Sequence, residues 1–310
     1  MTLLLDDDDV RRLLTPAEAL AWTTEALLRH AHGALVSPAR VRSTLGAGDL
    51  VFTLGASGGE WYGYRAYDTL GLPGSEQTVV LHDARTGGVA AVAIGSELGA
   101  RRTGALGGVA MRALTDGALR TLAVIGTGRQ AWAQVWAISG FVQPAEVRVF
   151  SRDPARRTAL ADRIWCELGL RAVAVGSARE AVTTADAVVL ATSSGTPVVE
   201  TDWLDDDVVV TTVGPKQEGR AEFARDLVFD AAFAVTDSPT QLAAYDPPAL
   251  AAGLDQAPLA DVVAGRVVPP VGGRRVYCSV GLAGTEIHLL GRLVAARRAE
   301  GRQPDPAPGG

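Results

Sequence analysis

Between residues 121 and 236, short apolar runs alternate with stretches whose apolar positions recur every three to four residues. The runs 121–125, 146–150, 171–175, 186–191, 207–213 and 231–236 predict strands. Helical periodicity near 128–140, 153–168 and 178–184 connects the first four. Asp186-Ala-Val-Val-Leu-Ala-Thr192 and Val208-Val-Val-Thr-Thr-Val-Gly214 are apolar almost without interruption, as strands buried on both faces are. Strands alternating with helices build a doubly wound parallel sheet. Such a sheet opens its ligand crevice at the carboxyl ends of its strands. Thr192-Ser193-Ser194 and Gly214-Pro215-Lys216 lie at two of those ends.

The first 115 residues follow a different rhythm. A helix near 16–34 precedes shorter alternating patterns around 40–55, 61–68, 77–83 and 88–95, separated by Gly-rich turns. This is the pattern of an antiparallel α+β unit. A second helical stretch, 103–115, is dense in small residues: Thr103-Gly-Ala-Leu-Gly-Gly-Val-Ala110. Each interior glycine costs about 1 kcal/mol relative to Ala, so close approach of another backbone or a ligand is expected there. Arg101-Arg102-Thr103 is read as the opening of this helix, where a guanidinium and the helix dipole together suit a carboxylate. After residue 276, Val276-Tyr-Cys-Ser279-Val-Gly281 leads into a last helix, 280–300. The Pro- and Gly-rich tail 301–310 is expected to be disordered.

One segment carries specific chemistry. Thr121-Leu-Ala-Val-Ile-Gly126-Thr127-Gly128-Arg129-Gln130-Ala131 runs from a strand through Gly-x-Gly-x-x-Ala into a helix. The first glycine allows the tight turn, the second lets backbone N–H groups approach a pyrophosphate, and the small third residue lets the helix pack on the sheet. The phosphates then sit on the positive end of the helix dipole. The next strand ends about 20 residues beyond Ala131, where such a fold reads the ribose. A Rossmann-type nicotinamide dinucleotide domain over 116–279 is the expectation. An NAD site usually presents an acid at that strand end. This chain has Ser151-Arg152-Asp153-Pro154-Ala155-Arg156-Arg157. Ser151, Arg152 and Arg156 suit a 2′-phosphate, so NADPH/NADP+ is favoured over NAD(H).

Composition narrows the partners. The 310 residues exceed what one core usually supports, so two domains are expected. The formal net charge of −6 argues against nucleic acid or an anionic membrane as partner. Two cysteines and four unclustered histidines predict neither a disulfide framework nor a metal site. No charged-then-apolar leader and no run of 18 apolar residues occurs, so a cytoplasmic location is expected. Lys216 is the only lysine among 29 basic residues. Arginine is effectively always protonated, whereas a buried lysine is able to exchange a proton. Placed after a buried strand, Lys216 is the candidate catalytic residue. Arg40, Arg65 and Arg102 stand on strand or helix patterns and jointly suggest an anionic small molecule as substrate.

Taken in order, these elements resemble the ornithine cyclodeaminase/mu-crystallin family over nearly the whole chain. The matching stretches are Leu3-Leu-Leu-Asp6…Val10-Arg-Arg-Leu-Leu14, Pro38-Ala-Arg40, Arg102-Thr103, Ile125-Gly-Thr-Gly128-Arg-Gln-Ala131, Ala185-Asp186…Thr192, Trp203-Leu204, Val213-Gly214 and Ser279-Val-Gly281. The resemblance implies a Rossmann domain plus a substrate-binding and dimerisation domain, here 1–115, to which the C-terminal helix returns. It implies a homodimer that holds a nicotinamide cofactor against an amino or imino acid. Carried over by position, Arg102, Thr103 and Arg40 bind the substrate carboxylate. Thr192, Val213, Gly214 and Ser279 belong with the cofactor.

Two departures bear on the reaction. Arg65 stands where the family commonly has a lysine, and Lys216 where the cyclodeaminases have an acid. The implied function is an NADP(H)-dependent oxidoreductase acting on the C–N bond of an imino acid or ketimine, or oxidising an amino acid in reverse. Arg102 and Arg65, the other two candidate catalytic residues, then hold the substrate carboxylate with Arg40, and Lys216 is general acid toward the imine nitrogen or a cation polarising it. The alternatives are a cyclodeaminase that uses bound NAD catalytically and an NADPH-dependent binding protein of the mu-crystallin type.

Overall fold

The computed structural model of the protein describes residues 2–115 and 119–300; the tail expected at 301–310 lies outside them. The chain is a mixed α/β protein built on two large sheets. The first contains β1 (Leu3–Leu5), β2 (Leu35–Val36), β3 (Val41–Thr44), β4 (Asp49–Ser57), β5 (Trp61–Asp68), β6 (Gln77–Asp83) and β7 (Val89–Gly95). Its order is β1-β7-β6-β5-β4-β2, with β3 also on β4. β1 runs parallel to β7, and every other pair is antiparallel. The stretch 40–55 therefore holds two strands, not one. A turn closed by the Leu45 N–H on the Gly48 carbonyl at 2.7 Å separates them. Gly46-Ala47-Gly48 has little side chain to pack on a sheet, which is why the strand breaks there.

Alternation along β4, β5 and β6 sends Val51, Thr53 and Ser57 inward with Leu81 and Val79. Register places Thr53, Arg65 and Val79 side by side on that face. The last helix, Gly284–Glu300, covers it, approaching closely where Gly55 meets Gly284. The outer face carries Val36, Leu54, Tyr62 and Ile94, each more than a third exposed.

The second sheet contains β8 (Thr121–Ile125), β9 (Glu146–Phe150), β10 (Ala172–Ala174), β11 (Ala187–Leu190), β12 (Val209–Thr212), β15 (Phe233–Thr236), β16 (Ala257–Pro258) and β17 (Arg275–Cys278). A two-stranded hairpin, β13 (Lys216–Gln217) and β14 (Arg220–Ala221), follows β12. The order β10-β9-β8-β11-β12-β17-β15-β16 is parallel throughout, a doubly wound Rossmann-type arrangement. Every residue of β11 and β12 is buried, as their apolar runs predict. β17 inserts between β12 and β15, which carries its following turn, 279–281, to the mouth of the crevice.

The small-residue helix starts earlier than its glycines suggest and spans Glu97–Leu114. Its first N–H groups are held from a distance: the Asp7 carboxylate accepts from Ser96 N and Glu97 N, each at 2.8 Å. Arg101 and Arg102 thus lie in the second turn, not at the helix start, and the dipole there lends them little. The glycine density has the expected reason. A Cβ on Gly104 or Gly107 would collide with the Ala133 carbonyl or the Gln134 side chain of the helix Arg129–Ile138. That close pairing joins the two halves of the chain. Among the described residues, no helix is long and apolar enough to cross a membrane.

Candidate functional site

Two cavities open at the carboxyl ends of β8, β11 and β12. The larger, about 800 Å³, begins at the Gly126-Thr127-Gly128 turn. Gly126 has φ +116°, and a side chain there would strike the Ala191 carbonyl, so only glycine makes this turn. Gly128 is the N-cap of Arg129–Ile138 and offers no side chain to the helix, whose first N–H groups therefore face the cavity uncapped. Arg129 and Gln130 line the same wall, and the buried Gln130 Oε1 has no hydrogen-bond partner. The far wall is Thr192, Val213 and Gly214.

Ser151, Arg152 and Arg156 close the end beyond β9. Asp153 also lies there, but its carboxylate caps the helix Pro154–Leu168 by accepting from Ala155 N and Arg156 N. Arg157 turns away; its guanidinium lies over Phe150 and donates to the Ser151 carbonyl. Arg152 and Arg156 are the two guanidiniums left to this end of the groove, and Arg156 also pairs with Asp153 at 3.3 Å. The turn, the uncapped helix and the size of the groove fit a dinucleotide. Eleven of the twelve expected cofactor residues line it; Ser279 lies instead on the second cavity.

That second cavity, about 220 Å³, shares Gln130, Val213 and Gly214 with the first. The two therefore adjoin at those residues. Arg40, Arg65, Arg102, Thr103 and Lys216 line it from four segments, Arg102 and Thr103 both from helix Glu97–Leu114. Arg102 is held by helix Glu97–Leu114, and its Nη2 donates to Glu286 Oε2 at 3.1 Å. Arg65 reaches in from β5, donates to Glu286 Oε1 at 3.0 Å, and has its guanidinium 4.2 Å above the Tyr67 ring. Arg40 sits in the link before β3, its N–H on Gln241 Oε1 at 2.9 Å and its Nη2 on the Val280 carbonyl. A methyl built on Gly281 would lie 3.4 Å from Arg102 Nη1 and 3.6 Å from Arg40 Nη2. The two guanidiniums converge on one point above a glycine whose φ of +94° excludes most other residues. Asp237 fixes this turn, accepting from Val280 N and Gly281 N at 2.8 and 2.9 Å.

Lys216 follows β12 and is 3% exposed. Its Nζ donates to the Gly214 carbonyl at 2.6 Å and the Val213 carbonyl at 3.3 Å. Two of the three ammonium donors are spent on the main chain. One is left for a ligand.

Four side chains were not visible in the sequence. Glu286 is 1% exposed and bridges Arg65 and Arg102. Burial pushes its carboxyl up, but Arg102 and Arg65 together outweigh this and hold it below the usual glutamate range. The available signal was an acid beside a mostly apolar stretch of the helix, Ile287-His-Leu-Leu290. Glu222 gathers donors from both strand ends: Thr192 N and Oγ1 at 2.8 Å each, Gly214 N at 2.5 Å and Val213 N at 3.2 Å. It ties β11 to β12 under the crevice. Gln241 and Tyr245 come from a segment legible only as turns. Of the aromatics at 61–67, only Tyr67 lines the cavity. Trp61 packs on Gly291, and Tyr62 stacks on His82.

Known proteins give this geometry a setting. Over 241 residues the chain is 27% identical to the alanine dehydrogenase of Archaeoglobus fulgidus, covering 76% of this chain and 74% of that protein. It is 36% identical over 155 residues to a putative dehydrogenase of Rhizobium meliloti, which is 49% of this chain and only 47% of that protein. The fold matches that of Thermococcus litoralis Δ1-pyrroline-2-carboxylate reductase, a structure in complex with NADH and L-proline. The TM-score is 0.88 at 24% identity, over 97% of this chain and 98% of that one. A sequence profile matches residues 2–295, and the chain belongs to the ornithine cyclodeaminase/mu-crystallin family.

Proposed function

We propose that the protein is an NADP(H)-dependent oxidoreductase that reduces the C=N bond of an imino acid or ketimine, or oxidises the corresponding amine in reverse. The observation that carries this reading is that a dinucleotide-shaped groove shares Gln130, Val213 and Gly214 with a pocket where Arg40 and Arg102 converge above Gly281. Relatives named as dehydrogenases and reductases support it. When bound, a reduced nicotinamide supplies a hydride.

The residues of this chain do the rest. Arg40 and Arg102 hold the substrate carboxylate, fixing the distance and orientation of the carbon beside it. Glu286 locks Arg102 and Arg65 so that little rotamer freedom is lost on binding. Glu222 keeps Val213 and Gly214, the residues shared by both cavities, in one arrangement. Lys216 is the cation on the facing wall. Held by two carbonyls, it acts as a fixed charge. Among the described residues no carboxylate lines this pocket to receive the side-chain amine of a diamino acid, so reduction is favoured over cyclodeamination. At the far end of the groove, Ser151 with Arg152 and Arg156 favours NADPH.

The apolar outer face of the first sheet, with Val36, Leu54, Tyr62 and Ile94 exposed, suits a second copy of the chain, and the active species is a homodimer. Purified protein mixed with NADPH and a panel of cyclic and linear imino acids tests the reading. Oxidation of NADPH in proportion to amine formed supports it. Ammonia release without net cofactor change points to cyclodeamination, and tight NADPH binding with no turnover points to a binding protein.

A further inference from the structure

The substrate pocket carries more positive charge than one carboxylate explains. Arg65 and Arg102 share a single acid, Glu286. Arg40 and Lys216 have no carboxylate within 4.0 Å among the described residues. The two other buried acids nearby, Glu222 and Asp237, spend their oxygens on backbone N–H groups and on the Thr192 hydroxyl. Among the described residues neither forms an ion pair. Burying a lysine without a counter-charge is costly, and such a charge is retained where a ligand completes it. If the convergent Arg40 and Arg102 take one carboxylate, the ammonium of Lys216 still faces the pocket from a different wall with one donor free.

We propose that the substrate is dicarboxylic: a 2-imino acid whose side chain ends in a second acid group, which Lys216 pairs with. The inference rests on the reductive reading above and names the substrate class of the same site. The reaction balances without a protein acid. Hydride adds to the carbon of the protonated imine, the C=N π pair moves to nitrogen, and the product is the 2-amino dicarboxylate with oxidised cofactor. The nitrogen proton comes from solvent before hydride arrives. A small pocket of about 220 Å³ suits a four- or five-carbon diacid.

Two measurements on the full-length protein decide it. In the first, NADPH oxidation is followed with ammonia and either oxaloacetate or 2-oxoglutarate, against pyruvate or 2-oxobutyrate. The expected result is a kcat/KM at least tenfold higher for a diacid. Lys216→Met is expected to collapse that preference by about 10- to 100-fold, the loss of a charge-assisted hydrogen bond. Lys216→Arg is expected to keep it, and so guards against a variant that merely misfolds. In the second, thermal shift with NADP+ present compares succinate with butyrate, neither of which reacts. Succinate is expected to stabilise wild type more than butyrate does. Equal or better use of monocarboxylates by wild type, or equal loss for both acids in Lys216→Met, overturns the proposal. If no acid is reduced at all, the reductive reading fails. The succinate arm then decides the diacid pocket alone, and a butyrate shift as large as that of succinate overturns it.

Discussion

The two cavities solve binding in opposite ways. The dinucleotide groove uses backbone: a glycine turn, an uncapped helix start and a strand end, all between residues 125 and 156 on one wall. The substrate pocket uses cations from four distant segments, two of which, Arg65 and Arg102, are tied together by Glu286. Backbone donors are neutral and tolerate replacement of neighbouring side chains. Buried ion pairs do not, because removing one partner leaves the other charged and desolvated. The groove is therefore expected to be robust to point substitution and the pocket to be brittle.

The sharpest way to break that contrast is Arg102→Met. It removes a proposed carboxylate anchor and leaves Glu286 with Arg65 alone, so a stability loss of about 3–5 kcal/mol is expected, together with loss of turnover. Thermal denaturation beside an NADPH titration checks it. If stability holds, Glu286 is not locked as described. Glu286 also gives this region a pH dependence. Its folded carboxyl titrates below its unfolded value, so its contribution is full above the ordinary glutamate range, about 4.3, and is lost as pH falls through the lower folded value. Acid unfolding of Glu286→Gln is expected to be shallower than that of wild type.

Gly281→Ala tests the point where the guanidiniums meet. The methyl sits 3.4 and 3.6 Å from Arg102 and Arg40, on a backbone at φ +94°. KM for the imino acid is expected to rise strongly while NADPH affinity holds; unchanged KM would place the carboxylate elsewhere. On the groove side, Arg152→Ala is expected to cost NADPH about 1.5–3 kcal/mol and NADH far less, since only NADPH carries the phosphate. Equal losses for the two cofactors would mean that Arg152 packs against the adenosine without reading the phosphate. A milder contrast separates the thiols. Burial raises Cys278 to about 11, whereas Cys166 is exposed, so one rapid equivalent of thiol reagent is expected near neutral pH.

The same division governs how much was legible in the sequence. The groove was readable because its determinants are local: Gly126 and Gly128 sit between an apolar run and a helix, and Arg152 follows the next strand. The pocket was half readable. Arg40, Arg65, Arg102 and Lys216 were found as cations in suggestive places, but their partner was not, because Glu286 is 184 residues from Arg102. Ser279 lines the smaller cavity and not the groove, and nothing local reveals that β17 slips between β12 and β15. The helix start at Glu97 was missed because its cap, Asp7, comes from another element.

The claim that organises the pocket is that Lys216 is a fixed cation and not a proton donor. A pH–rate profile of Lys216→Arg beside wild type tests it most directly, with the best diacid as substrate. A fixed charge predicts a profile of unchanged shape and turnover within about tenfold of wild type, since arginine keeps the charge. Loss of turnover by about 10²–10⁴-fold, with disappearance of the limb that lysine controls, would make Lys216 the general acid and contradict the account.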